Sequence, residues 1–145
     1  MAYRACVIDR AYILRWTAEP VLGDVSSIVQ AVTAARRATG QPVLYLGIIA
    51  AHVPMPKSAV RDAFTNSFPV MSELCACFDV LIEDRDIRAT LLRTLVRAMA
   101  LTVPGRKMHV FGSEAQVAHE WKNHYGVDAV AILERFKAFE QTKVA

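Results

Sequence analysis

The hydrophobic and polar positions of the chain divide it into short apolar runs and longer segments of helical period. Residues 5–8 and 12–16 are apolar runs on either side of Asp9-Arg10, a pattern that predicts an antiparallel hairpin. Further apolar runs at 43–49, 78–82 and 108–111 predict three more strands. The run at 43–49, VLYLGII, has no charged residue, which is typical of a central strand covered on both faces.

The remaining segments have apolar residues three and four positions apart, which is the spacing of an amphipathic helix. This pattern predicts helices at about 24–39, 57–75, 84–103, 114–125 and 128–141. Asp24 is the expected N-cap of the first helix and Gly40 its end, and Ser58 is the expected N-cap of the second. Pro69 should kink the second helix or split it in two.

Two of these helices carry more detailed signals. Ser113 and Gln116 form a capping-box pattern before the helix at 114–125, in which each side chain accepts a hydrogen bond from the other residue's backbone N–H. The helix at 84–103 has one apolar row and a second beside it, which we expect to pack on the sheet. The two rows are Ile87, Leu91, Leu95 and Met99, and Leu92 and Val96.

The order of these elements predicts an α/β fold with a single-layer mixed sheet of about five strands and four to five helices. The N-terminal hairpin is antiparallel, and the later strands are parallel and joined by right-handed helical crossovers. A chain of 145 residues is expected to form a single domain, 1–145. The segment 128–141 is then an additional C-terminal helix, which either packs back on the domain or covers a second subunit.

Composition narrows the class of protein. The apolar fraction of 54% is high for a chain with 21% charged residues, which favours an apolar surface that a partner covers. A second copy of the chain is one such partner, so we expect a homodimer. No apolar run approaches the roughly 18 residues of a membrane helix, so we expect no membrane insertion. Three cysteines without a disulfide spacing fit a cytoplasmic protein. A net charge of +3 is too small to favour nucleic acid as a partner.

Three segments carry a resemblance to a known family. They are HVPMPKSAVRDAF after the third strand, FDVLIEDRDIRATLLRTLVRAM, and HVFGSEAQVAHEW. Together with the element order, over roughly residues 3–125, they resemble the STAS domain, and more specifically the stand-alone bacterial STAS-like proteins related to anti-sigma factor antagonists. The resemblance implies a non-enzymatic regulatory module that binds partner proteins, sometimes switched by phosphorylation of a Ser or Thr at the strand-to-helix junction. Ser58 is the nearest match to that position.

The candidate surface lies where the third strand leads into the second helix. A phosphate on Ser58 would be stabilised by the helix N-terminus and by Lys57 and Arg61. His52 lies in the same loop, and Asp84 follows the next strand at the same predicted end of the sheet. We therefore expect a partner-binding or switch surface at this edge.

Basic residues extend the candidate surface along the third helix. Arg85 and Arg88 form one short row on that helix, and Arg93 and Arg97 form another. A solvated face explains these rows most simply, and an acidic protein surface is the next interpretation. Because few aromatic residues lie among the cations, binding of nucleic acid is not expected.

Motifs for metals, cofactors and catalysis are weak. His119 and His124 are five residues apart, so they lie about 140° apart around a helix and do not form a zinc motif. Cys75 and Cys77 lack a second cysteine pair, and the chain has no glycine-rich phosphate loop. We expect no catalytic residue, no metal and no cofactor.

Two functional hypotheses follow. The first is a non-enzymatic STAS-like interaction module, responsive to phosphorylation, whose partner is an unidentified regulatory protein. The alternative is a domain that binds a small molecule or a lipid, or a small enzyme that uses the loops at the carboxyl ends of the central strands. This alternative predicts a closed apolar pocket on which His52 and Asp84 converge. A catalytic triad of Ser58, His52 and Asp84 can also be drawn at this edge, although the sequence has no nucleophile elbow and no evident oxyanion hole.

Overall fold

The sheet begins with the predicted hairpin. The computed structural model describes residues 2–50 and 52–142. Strand β1 (Tyr3–Ile8) pairs antiparallel with β2 (Ala11–Trp16) across a two-residue turn. In this turn Asp9 takes a φ of 54°, a left-handed conformation that its short polar side chain tolerates.

Three parallel strands extend the sheet from the second strand of the hairpin. They are β3 (Val43–Ile48), β4 (Cys75–Leu81) and β5 (Val110–Phe111), and the sheet order is β1-β2-β3-β4-β5. The predicted mixed sheet of five strands is therefore confirmed. Every residue of β3 is buried, as expected of a central strand. Strand β5 covers only half of the predicted run 108–111.

Five α-helices lie within the described residues, in agreement with the predicted number. They are α1 (Leu22–Thr39), α2 (Ser58–Leu74), α3 (Ile87–Ala100), α4 (Glu114–Tyr125) and α5 (Ala129–Thr142), with a short 3₁₀ helix at Pro104–Arg106. None of the helices in this part of the chain combines the length and the apolar character that crossing a bilayer requires.

The helices form two layers, one on each face of the sheet. Because β2, β3, β4 and β5 follow one another in sheet order, crossovers of the same hand place α1, α2 and α3 on one face. Helices α4 and α5 cover the other face, where they bury the alternate residues of the strands. The core therefore consists of two apolar clusters separated by the sheet.

The C-terminal helix packs back on the domain. Phe136 is fully buried, and Ile132 and Leu133 are buried beside it in the same cluster as residues of the hairpin. Arg15 on β2 also forms an ion pair with Glu140 on α5, with 2.8 Å between Nε and Oε2. The apolar face of α5 is thus part of this domain's core, which is the first of the two predicted alternatives.

The starts of α1 and α2 differ from the predictions. Asp24 lies inside α1, at its third position, and its carboxylate accepts a hydrogen bond at 2.9 Å from the backbone N–H of Val21, which is the N-cap. Helix α2 begins at Ser58 itself and Lys57 is its N-cap, so the expected capping role of Ser58 is wrong. Pro69 lies within α2 without splitting it.

The other helix ends follow their sequence signals more closely. Gly40 and Gly126 end α1 and α4 in the left-handed conformation that glycine adopts without a Cβ clash. Ser113 caps α4 by accepting a bond from the N–H of Gln116. The Gln116 side chain, however, accepts from the N–H of Gly112, at 2.7 Å, so the reciprocal half of the predicted capping box is shifted by one residue.

Helix α3 packs on the sheet with the second of its two predicted rows, Leu92 and Val96. It begins at Ile87, because Asp86 is the N-cap and accepts a bond from the Ala89 N–H at 2.8 Å. Its buried residues are Ala89, Leu92 and Val96. Ile87 and Leu91 are 80% and 59% exposed, so the expectation that they pack on the sheet is wrong.

Replacement of Phe136 by Ala tests the role of α5 in the core. Because Phe136 is fully buried, we expect the variant to lose about 3–5 kcal/mol of unfolding free energy in urea titrations. Val130 on the same helix is half exposed, and Val130→Ala should cost less than about 1 kcal/mol. Equal, small losses for both variants would contradict the packing of α5.

Candidate functional site

The carboxyl ends of the three parallel strands meet at one edge of the sheet. The N–H of Ile49 donates to the carbonyl of Leu81 at 2.9 Å, and the N–H of Ile82 donates to the carbonyl of Phe111 at the same distance. The loops after β3, β4 and β5 therefore leave the sheet side by side. Ligands of open α/β sheets commonly bind at such an edge, outside the carboxyl ends of the strands.

The residues predicted after β3 lie on the surface of this edge. His52, Lys57 and Ser58 are exposed, and Arg61 is half buried. Ser58 is the first residue of α2, and its hydroxyl makes no hydrogen bond within residues 2–50 and 52–142. Arg61 lies three positions later, so it is on the same face of the helix.

The residues predicted after β4 are also exposed. Asp84 and Arg85 lie in the loop before α3, and Arg88 lies in the first turn of that helix. Within the described residues, no hydrogen bond joins Ser58 to His52. The geometry therefore does not assemble the triad of Ser58, His52 and Asp84 that an enzyme of this type would need.

An arginine of α3 holds the loop after β4 in place. The guanidinium of Arg93 donates through Nη2 to the carbonyl of Ile82, at 2.8 Å, and to the carbonyl of Asp84. The sequence placed Arg93 in a solvated basic row. In the structure its guanidinium donates hydrogen bonds to backbone carbonyls that lie just beyond the end of β4. Arg93 thereby positions the loop that carries Asp84 and Arg85.

Two apolar side chains interrupt the charged surface at the start of α3. Ile87 and Leu91 are one helical turn apart, so they lie on the same exposed face, with Arg88 beside them. We call Arg85, Ile87, Arg88 and Leu91 the α3 patch. Large apolar side chains exposed together and rimmed by charge are the usual composition of a protein-binding surface.

A polar cleft lies next to the α3 patch, between α3 and the start of α4. Its volume is about 390 Å³, and Arg85, Arg93 and Arg97 line it together with Gln116. No ion pair involves Arg85 or Arg97 in the described part of the chain. The cleft can therefore accept a carboxylate or another acidic group of a bound partner.

An apolar cavity of about 90 Å³ lies on the face of the sheet that α2 and α3 cover. Val53, Pro54 and Pro56 of the loop after β3 form part of its wall. Neither His52 nor Asp84 lines it, so the prediction that these polar groups converge on a pocket is wrong. The alternative hypothesis predicted an apolar pocket, but the sequence could not identify its walls, because they come from residues that are distant along the chain.

A buried carboxylate on the face of the sheet that α4 and α5 cover was also not predicted from the sequence. Asp79 on β4 is 1% exposed and accepts three hydrogen bonds. The donors are Trp121 Nε1 at 2.9 Å, His109 Nδ1 at 3.0 Å and the backbone N–H of His109 at 3.2 Å. The one available signal was an acidic residue inside the apolar run FDVLI. This network ties β4 to the start of β5 and to α4.

The Asp79 carboxylate changes the protonation of the exposed histidine. The pKa of His109 is raised above its ordinary value because the imidazole is hydrogen-bonded to Asp79, and burial opposes this shift only in part. The imidazole is 54% exposed, so its other nitrogen remains accessible to solvent.

Two buried cysteines and a histidine of α4 were also candidates for chemistry, and the described residues place them apart: Cys75 and Cys77 on β4, and His124 on α4. Burial raises the pKa of Cys75 to about 12 and raises that of Cys77 further, so both thiols stay protonated at neutral pH. His124 pairs with Glu120 one turn earlier on α4, at 2.9 Å. Residues 2–50 and 52–142 contain no group of three ligands that could hold a metal ion.

Comparisons with protein-family models, with curated proteins and with solved structures found no match to this chain. The function is therefore inferred from the sequence and from the geometry of these surfaces.

The contact between His109 and Asp79 predicts a pH dependence. Because the folded pKa of His109 is raised, its proton stabilises the fold below the unfolded value of about 6.5, and this gain is lost as pH rises through the folded pKa. NMR titration of the His109 ring should show the raised pKa, and Asp79→Asn should lower it. The control Glu120→Gln, which removes a weaker charge effect, should lower it less. An unchanged pKa in Asp79→Asn would contradict the assignment.

Proposed function

We propose that this protein is a non-enzymatic STAS-like interaction module that binds a regulatory protein through the α3 patch and the neighbouring loop 52–58. The observation that carries the proposal is the exposure of Ile87 and Leu91, at 80% and 59%, on one face of α3. An exposed apolar pair costs free energy in an isolated domain, and a partner that covers it recovers that energy.

The surroundings of this pair support a protein as the partner. Arg85 and Arg88 flank the two apolar side chains, and the polar cleft beside them offers arginines to acidic groups. An apolar centre with a charged rim is the anatomy of a specific interface. The mixed sheet order also agrees with the element order on which the STAS resemblance rests.

We also propose that phosphorylation of Ser58 regulates this binding. The hydroxyl is exposed at the first position of α2 and has no hydrogen-bond partner within the described residues, so a kinase can reach it. The helix N-terminus stabilises a phosphate at this position, and Lys57 and Arg61 are close enough in sequence to pair with it. Such a phosphate would add about 1.5 to 2 negative charges next to the arginines of the partner surface.

The protein is further proposed to act as a cytoplasmic bacterial signalling component that forms a homodimer. Exposed apolar residues away from the α3 patch support the dimer: Val21 and Leu22 are adjacent at the start of α1, and Leu101 is 89% exposed after α3. Light scattering should give twice the 16.1 kDa mass of the chain, and the mass of a monomer at micromolar concentration would contradict the dimer.

Removal of the exposed apolar pair tests the partner surface. The double variant Ile87→Ser/Leu91→Ser should fold normally, since both side chains are exposed, and should lose a protein that the wild type captures from native lysate. Val130→Ser is the matched control, because it removes an exposed apolar side chain from α5 instead. Capture of the same protein by wild type and double variant alike would contradict this surface.

The same capture experiment tests the switch. Ser58→Glu places a negative charge at the start of α2 and should reduce capture several-fold, whereas Ser58→Ala should leave it unchanged. Equal capture by both variants and the wild type would show that Ser58 does not regulate binding.

A further inference from the structure

The apolar cavity lies between the sheet and the layer formed by α2 and α3. Its walls come from β3, β4, both helices and the loop after β3. Gly47 leaves room at one side because the central strand has no side chain there, and Leu95 closes the cavity from α3. Val53 on the loop is buried and forms part of the cavity wall.

The size and lining of the cavity favour an organic occupant over water. At about 90 Å³ the cavity is several times larger than the roughly 10–15 Å³ of free volume that one water molecule requires. A stable buried water needs two to four polar partners, and this wall is almost entirely apolar. An engineered apolar cavity of about 150 Å³ in another protein stays dry and binds benzene. Met99 and Met108 in the wall are flexible and can adapt to such a guest.

One buried polar group faces this space. Tyr45 is 4% exposed and lines the cavity, and its hydroxyl makes no hydrogen bond within the described residues. Every fully enclosed side-chain nitrogen or oxygen in that part of the chain has a partner, so the free hydroxyl must border open space. Its oxygen lies over Gly47, 3.3 Å from where a Cβ would stand, at the cavity wall.

The state of this hydroxyl restricts the chemistry of a guest. Burial raises the pKa of Tyr45 well above its ordinary value, so the phenol is neutral and can both donate and accept a hydrogen bond. No charged side chain lines the cavity to pair with an ionic guest. A neutral guest that is apolar except for one polar atom satisfies both the wall and the hydroxyl.

We propose that this cavity is a binding site for a small, neutral, mainly apolar molecule that carries one hydroxyl or carbonyl group, with the Tyr45 hydroxyl as its hydrogen-bond partner. The site is separate from the proposed partner surface, although both use the loop after β3. Its test therefore requires no partner protein, and it can fail or succeed independently of the interaction function.

Titration with phenol and benzene tests the site in the full chain. Phenol should shift the backbone amide signals of Val53 and Gly47 saturably, and benzene should bind about fivefold more weakly because it leaves the hydroxyl unpaired. Tyr45→Phe should lower the affinity for phenol to that for benzene. Tyr12→Phe is the matched control: it removes the hydroxyl of a buried tyrosine stacked on Tyr45 that does not line the cavity, and should leave both affinities unchanged.

Filling the cavity provides the second test. Leu95→Phe should occupy the space, abolish phenol binding and keep or raise the melting temperature; if this variant does not fold, Val53→Phe fills the same space from the loop. No saturable binding of either compound by the wild type, or undiminished phenol binding by the folded filled variant, would overturn the proposal.

Discussion

Burial of β3 on both faces is the constraint on which the rest of the fold depends, because it requires a helical layer on each side of the sheet. The crossovers after β2, β3 and β4 all advance in one direction, so their helices occupy a single face. The other face has to be covered by the part of the chain beyond β5. Helices α4 and α5 supply that cover with Trp121 and Phe136, and the C-terminal helix is therefore part of the core.

On the face of the sheet that α4 and α5 cover, strand β4 carries the buried carboxylate of Asp79, which accepts three hydrogen bonds. Isolated in an apolar core, the Asp79 carboxylate would be strongly unfavourable. Hydrogen bonds from Trp121 and from the ring and backbone of His109 offset that cost. Since β5 has only two residues, this network adds to its attachment to β4. The loop after β5 is thereby fixed at the carboxyl edge, next to the proposed partner surface.

The strands and helices could be predicted from the sequence because hydrophobic periodicity and turn residues are local signals. The strand order could be predicted because it follows from the crossover rules. The pattern of α3 contained two adjacent apolar rows, and only the packing of the helix on the sheet shows that Leu92 and Val96 are buried whereas Ile87 and Leu91 are exposed. The contact of Asp79 with His109 depends on register between residues 30 positions apart. The cavity beside Tyr45 depends on how side-chain volumes from several elements fill one space, which no local pattern contains.

The loop after β3 connects the two proposed roles. Its exposed residues His52 and Lys57 belong to the proposed partner surface, and its buried Val53 forms part of the cavity wall. Hydrogen exchange of the complex with the captured partner tests most directly whether this edge of the sheet is the working surface. Slower exchange at residues 52–61 and 85–91, with α4 and α5 unchanged, is the predicted result. Slower exchange confined to α4 and α5 would contradict it.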